Sequence, residues 1–143
     1  MPSQKRKGEE MQASNHTRNK ILADKGTVAN RPWLRMRGLI GRASLEPGEG
    51  LLLLGTKGIH TIGMCFPIDV LFLNDEAQVI HMIHALNPLR VSPFIKTSAM
   101  VLELPAGTLQ ETGTQVGDWI EITVADQVQS KDERVWTETE ESE

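Results

Sequence analysis

From residue 51 onward, short apolar runs alternate with Gly- and Pro-rich breaks, a pattern that predicts strands rather than helices. Residues 51–54 are all leucine and lie between Gly50 and Gly55. Residues 66–73 and 78–86 form the clearest hairpin, joined by Asn74-Asp75-Glu76-Ala77. Both parities of 70–73 are apolar, which predicts a central strand covered on two faces. The segment NPLRVSP at 87–93 carries two prolines and breaks regular structure. Residues 100–104 read as a strand stopped by Pro105-Ala106-Gly107. In 119–124, Ile120, Ile122 and Val124 point inward, while Trp119, Glu121 and Thr123 point outward.

Nearer the N-terminus, RNKILADKGTVA reads as two short strands around Asp24-Lys25-Gly26, where glycine supplies a positive φ. Asn30 is then placed to cap a helix that tolerates Pro32 in its first turn. Trp33, Met36 and Ile40 follow the spacing of a buried helical stripe, with Arg31, Arg35, Arg42 and Gly38 on another. Gly41 and the following SLEPGEG end it. The predicted fold class is mainly β (α+β): a small antiparallel β-barrel-like or sandwich domain with one short helix near residues 31–40. Residues 1–15 and 126–143 read as disordered tails, basic and acidic respectively, around a single β-rich domain at 16–125.

Charge sharpens the asymmetry between the two ends. The net charge is −4, yet residues 1–42 hold ten Lys/Arg against three Asp/Glu, and residues 43–143 hold five against sixteen. The ordinary reading is two solvated tails. The sharper one, a basic arm touching nucleic acid or anionic lipid, rests on KRK at 5–7, which Glu9 and Glu10 follow at once. No strong nucleic-acid signal follows, since tyrosine is absent and only three Phe are present.

The lone Cys65 excludes an intramolecular disulfide and a multi-cysteine zinc site. No apolar stretch reaches the roughly 20 residues that span a bilayer. No apolar segment precedes Met11 in the manner of a signal peptide. These features point to the cytoplasm.

Candidate chemistry gathers around GIHTIGMCFPIDVLFL at 58–73. Asp69 shares its strand parity with Leu71 and Leu73, so its carboxylate opens a buried face and needs partners. Backbone N–H groups at a turn are one such set. Glu103 stands between Leu102 and Leu104, on the solvent face by default or else drawn into a polar site. His60 lies in a Gly-rich connection, available as acid, base or ligand, or fixing the loop by hydrogen bonds. His81 and His84 are three apart on a strand, facing opposite sides, and do not form a metal pair. Cys65 near His60 suggests a thiol nucleophile, but a buried small hydrophobe is the plainer reading. No metal site, cofactor motif, P-loop, GxGxxG, GxSxG or HExxH is present.

Five stretches occur in order: RMRGLIGR at 35–42, GEGLLL at 48–53, IHTIGMCFPIDVLFLN at 59–74, SAMVLELPAGT at 98–108 and TGTQVGDWIEI at 112–122. Together they resemble the bacterial and archaeal domain-of-unknown-function family one-nine-two, across about residues 15–124. The resemblance implies a compact, β-rich, partly barrel-like domain without an established biochemical role. It implies that His60, Met64, Pro67 and Asp69 match the family's central motif, and Glu103, Pro105, Ala106 and Gly107 its second. Many members carry a Trp and an Asn-Thr around that methionine. Here Gly63 precedes Met64, and Cys65-Phe66 replace the polar pair. Some members are exported or lipid-anchored, whereas the N-terminus here fits an intracellular form.

The resulting expectation is a ligand- or peptide-binding module. His60, Met64, Asp69 and Glu103 would converge at one mouth of the barrel, with Arg35 or Arg37 offsetting the carboxylates. The partner expected is a small molecule or peptide. The rivals are a hydrolase using His60 with Asp69 as its orienter, and an adaptor acting through its charged tails.

Overall fold

The computed structural model describes residues 9–29 and 42–125. Seven strands follow in order: β1 (Glu9–Asn15), β2 (Lys20–Ala29), β3 (Glu49–Leu54), β4 (Ile68–Leu73), β5 (Val79–Leu86), β6 (Met100–Pro105) and β7 (Ile120–Ala125). A single short helix among the described residues, α1 (Thr108–Thr112), sits between β6 and β7. The strands form one sheet in the order β5-β4-β6-β3-β2-β1-β7. Every pairing is antiparallel except β2 with β3, which is parallel and departs from the expected antiparallel pattern.

The sheet curls until its two edge strands touch at their first residues. A bridge pairs Gln78 with Trp119. The amide of Val79 donates to the Asp118 carbonyl at 2.9 Å, and that of Ile120 to the Ala77 carbonyl at 2.9 Å. The result is a half-barrel closed at one corner. Inside it lies a core that includes Met11, Leu52, Leu71, Leu73, Leu102 and Leu104. A second buried cluster, including Leu51, Leu53, Val70, Phe72 and Val101, covers the opposite face of the central strands. All six residues of β4 are buried, as its apolar parities predict.

Two expectations fail near the N-terminus. Residues 9–15, read as tail, form β1, which pairs with both β2 and β7. Residues 20–29 are one strand rather than two around a turn. The chain reverses instead at 16–19, where Asn19 takes a φ of 59° and Asn15 accepts the Arg18 amide at 3.0 Å. Asp24 and Lys25 form a bulge, because Met11 pairs with Gly26 and Ala13 with Ala23, leaving two residues opposite Gln12. Both bulge amides donate to the Gly48 carbonyl, at 3.0 and 2.8 Å. Gly26 thus serves space rather than a turn: a Cβ there would meet the end of the buried Met11 side chain and lie 3.0 Å from the Met11 carbonyl oxygen. The helix expected near 31–40 and the acidic segment 126–143 lie outside the described residues, whereas α1 is a helix the periodicity did not reveal.

Candidate functional site

Asp69 is fully buried, and its carboxylate accepts three backbone amides. Oδ1 accepts the Ala85 amide at 2.8 Å. Oδ2 accepts the amides of Gly107 at 3.1 Å and Leu109 at 2.8 Å. Ile68 pairs with Leu86 and Val70 with Ile83, so Asp69 stands opposite a bulge formed by His84 and Ala85. Such a bulge withdraws an amide from the ladder, and Asp69 accepts it. Gly107, the N-cap of α1, holds a φ of 99° and provides no side-chain cap. Asp69 caps that helix from the neighbouring strand. Its role here is structural: one carboxylate joins β4, the β5 bulge and the first turn of α1.

Glu103 is also buried, at 5% exposure, which overturns its default placement on a solvent face. Strand β6 lies between β3 and β4 and is covered on both sides, so neither parity reaches water. Pairing places Asp69 opposite Leu104 and Glu103 opposite Val70. Side chains alternate along a strand, so the two carboxylates project from opposite faces of the sheet. Glu103 lies on the face of Val70 and Val101, and Asp69 on that of Leu71 and Leu104. The sheet therefore separates the two acids that the sequence reading brought to one mouth.

His60 is exposed and belongs to neither face. It forms an isolated bridge with Val91, and its Nδ1 accepts the Ile62 amide at 3.2 Å. The segment around it is zipped against residues 87–95. Thr61, fully buried, donates its hydroxyl to the Asn87 carbonyl at 2.7 Å and accepts the Arg90 amide at 2.9 Å. Its amide donates to the Arg90 carbonyl at 2.9 Å. Ser92 Oγ accepts the Ile59 amide at 3.0 Å, while the Ser92 amide donates to the Ile59 carbonyl at 2.9 Å. The Ile95 amide reaches the Lys57 carbonyl at 2.8 Å.

Ile59, Thr61 and Ser92 are buried beneath this ribbon; Gly58, His60, Ile62, Leu89 and Val91 are exposed upon it. Met64 is half-buried against the second cluster, and Cys65 is exposed rather than buried as expected. Arg35 and Arg37 lie outside the described residues. Two shallow concavities of about 290 and 200 Å³ lie elsewhere, across β1, β2 and β7, sharing Gln12, Asp24 and Thr123.

A second polar centre escaped the sequence reading. Asn15, fully buried at the end of β1, donates to Thr114 Oγ1 at 3.2 Å and Asp118 Oδ2 at 2.9 Å. Arg18 grips both oxygens of Asp118, Nε to Oδ2 at 2.7 Å and a terminal nitrogen to Oδ1 at 3.2 Å. The Gln115 amide donates to Oδ2 at 2.9 Å. Burial alone would push the Asp118 carboxyl up. The hydrogen bonds from Arg18, Asn15 and Gln115 outweigh it and hold the group below its ordinary value. This network joins the β1–β2 turn to the entry of β7, across a separation of about a hundred residues that local pattern does not register.

A family model described as an uncharacterized ACR family matches residues 13–122. Two solved structures share the fold. One is a protein of unknown function from Novosphingobium aromaticivorans DSM 12444, 19% identical, with a TM-score of 0.68 over 78% of this chain and 83% of that one. The other, from Sinorhizobium meliloti 1021, is provisionally named a transcription regulator. It is 21% identical, with a TM-score of 0.69 over 82% of this chain and 97% of that one. No curated protein matches. At these identities the likeness is one of fold.

Proposed function

The chain belongs to the DUF192 family, uncharacterised in function, and from that premise we propose a non-catalytic binding module whose contact face is the loop ribbon carrying His60 and Met64. One observation carries the reading. Thr61 and Ser92 tie the ribbon together from beneath, while His60, Ile62, Leu89 and Val91 are exposed upon it. Apolar side chains held in water on a preorganised support cost little further ordering when a partner covers them. The row runs along a two-stranded ribbon, and a linear peptide is the ligand class that suits this shape.

The hydrolytic alternative loses its support at Asp69. The Asp69 carboxylate accepts three backbone amides, and His60 Nδ1, the atom an orienting carboxylate would need protonated, instead accepts the Ile62 amide. Asp69 and Glu103 enter this reading as the framework behind the face rather than as ligand groups. The adaptor alternative rests on the charged tails, of which residues 1–8 and 126–143 lie outside the described residues.

The test is selection of displayed random linear peptides on the wild-type protein, repeated on His60→Ala and Val91→Ser. Enriched peptides should lose binding to both variants. Enrichment that ignores both substitutions, or no enrichment, removes the proposal. Turnover of an ester or amide substrate that vanishes in His60→Ala would restore the hydrolase.

A further inference from the structure

The two segments of the ribbon stand out in charge within residues 43–143, which hold five Lys/Arg against sixteen Asp/Glu. Residues 55–67 and 87–98 contain Lys57, Arg90 and Lys96, and not one Asp or Glu, in a protein of net charge −4. All three cations are exposed. Backbone bonds hold them beside the apolar row: Arg90 through its carbonyl and amide to Thr61, and Lys57 through its carbonyl to Ile95, the residue before Lys96. Lys57 Nζ also donates to the Ser98 carbonyl at 2.8 Å, which fixes one charge in place.

The apolar side chains between these charges stand well out. Ile62 is 52% exposed, Leu89 69%, Val91 72% and Phe94 72%. Phe94 closes the row against Gly58, where a Cβ would lie 3.9 Å from the Phe94 Cα. Met64, whose amide shares the Thr61 carbonyl with that of Leu89, is half-buried against the second core cluster, as are Phe66 and Ile95 of the same two segments. The apolar surface therefore descends from projecting side chains to a recessed, adaptable thioether. Such a step suits one bulky apolar residue of a partner. A flat bilayer would meet only the projecting row.

Resting on the reading of this ribbon as a contact face, we propose that its partner is an acidic peptide segment carrying a bulky apolar residue. The apolar residue would sit over Met64 between Ile62 and Leu89. Flanking carboxylates would face Arg90, Lys96 and Lys57. Cations at the rim steer encounter and set specificity, and the buried anchor supplies most of the affinity.

The experiment uses three fluorescein-labelled synthetic peptides and the full chain. One carries a tryptophan flanked by glutamates, the second replaces the glutamates by glutamine, and the third replaces the tryptophan by serine. Fluorescence anisotropy should show the first binding about tenfold or more tighter than either control. Its affinity should also fall as salt rises. Arg90→Glu/Lys96→Glu should weaken the first peptide and favour a lysine-flanked one. Thermal melting of this variant should match wild type, since both positions are exposed. Equal binding of all three peptides, or no reversal by the charge swap, overturns the inference. So does preferential capture by phosphatidylglycerol vesicles over the acidic peptide. If displayed peptides bind the ribbon but carry no acidic preference, the inference fails while the contact-face reading stands. If none bind there, both fail.

Discussion

Asp69 and Glu103 are one residue apart in register on adjacent strands, and so they face opposite sides of the sheet. Asp69 pairs across from Leu104, and Glu103 across from Val70. A period of two sends these neighbours to different cores, so no movement short of unpairing β4 from β6 brings them together. The acidic pair that the primary structure invites is two independent buried groups.

Replacing Asp69 by Ala should be among the most damaging single changes in the domain. The amides of Ala85, Gly107 and Leu109 would lose their acceptor together. A buried donor left unsatisfied costs about 1–3 kcal/mol; the Leu109 bond is buried and the other two partly so, and the change should lower stability by roughly 3 kcal/mol. His60→Ala, at an exposed position, should stay within about 0.5 kcal/mol of wild type. Urea unfolding of both variants checks the contrast. Similar midpoints would show that Asp69 is not the tie described here.

The Asp118 carboxyl is held below its ordinary value of 3.8 when folded. A depressed folded value adds stability that is fully present above the unfolded value. That contribution is lost as pH falls through the folded one. Wild type should therefore lose stability between about pH 4 and the lower folded value, and Asp118→Asn should show a shallower fall there. Chemical denaturation at a series of acidic pH values measures the two slopes; parallel slopes would refute the network's role.

Thr61→Val keeps the side-chain volume but removes the hydroxyl that ties Asn87 and Arg90 to the His60 loop. The expected loss is about 1–3 kcal/mol for buried groups left unpaired. Amide exchange should quicken at Arg90, which donates to that hydroxyl. Peptide affinity should fall along with it. Unchanged exchange at Arg90 would mean that the ribbon is held by other contacts.

Gly107→Ala tests backbone conformation rather than space. The residue holds a φ of 99°, and an added Cβ would meet nothing within 4 Å. A cost of about 1–2 kcal/mol is expected from the left-handed conformation alone. Calorimetric melting should reveal it, and an unchanged midpoint would sink the argument.

Much of the sheet was legible because its signal is local. The hairpin of residues 66–86, the leucine strand after Gly50 and the inward turn of Ile120 and Ile122 follow from side-chain period alone, whereas Val124, expected inward, is exposed near the end of β7. The family too can be read from five ordered stretches, and the structural likenesses agree with that reading of the fold. Strand β1 was missed because EEMQASN is mostly polar. Only Met11, Ala13 and Asn15 turn inward there, and neighbouring strands supply the apolar surroundings. The bulge at Asp24-Lys25 imitated a turn because bulges and turns draw on the same residues.

What the sequence by itself determined is the period of the strands from residue 51 onward, the sites of their breaks, the His60 loop and the need of Asp69 for partners. Only the tertiary structure decided which partners those are. Amides at positions 85, 107 and 109 come to one carboxylate through sheet pairing and a bulge. Covering both faces of β6 buries Glu103, which in a one-sided sheet would face water. Local pattern fixes which way a side chain points along its own strand, whereas burial depends on what the rest of the chain lays over that face.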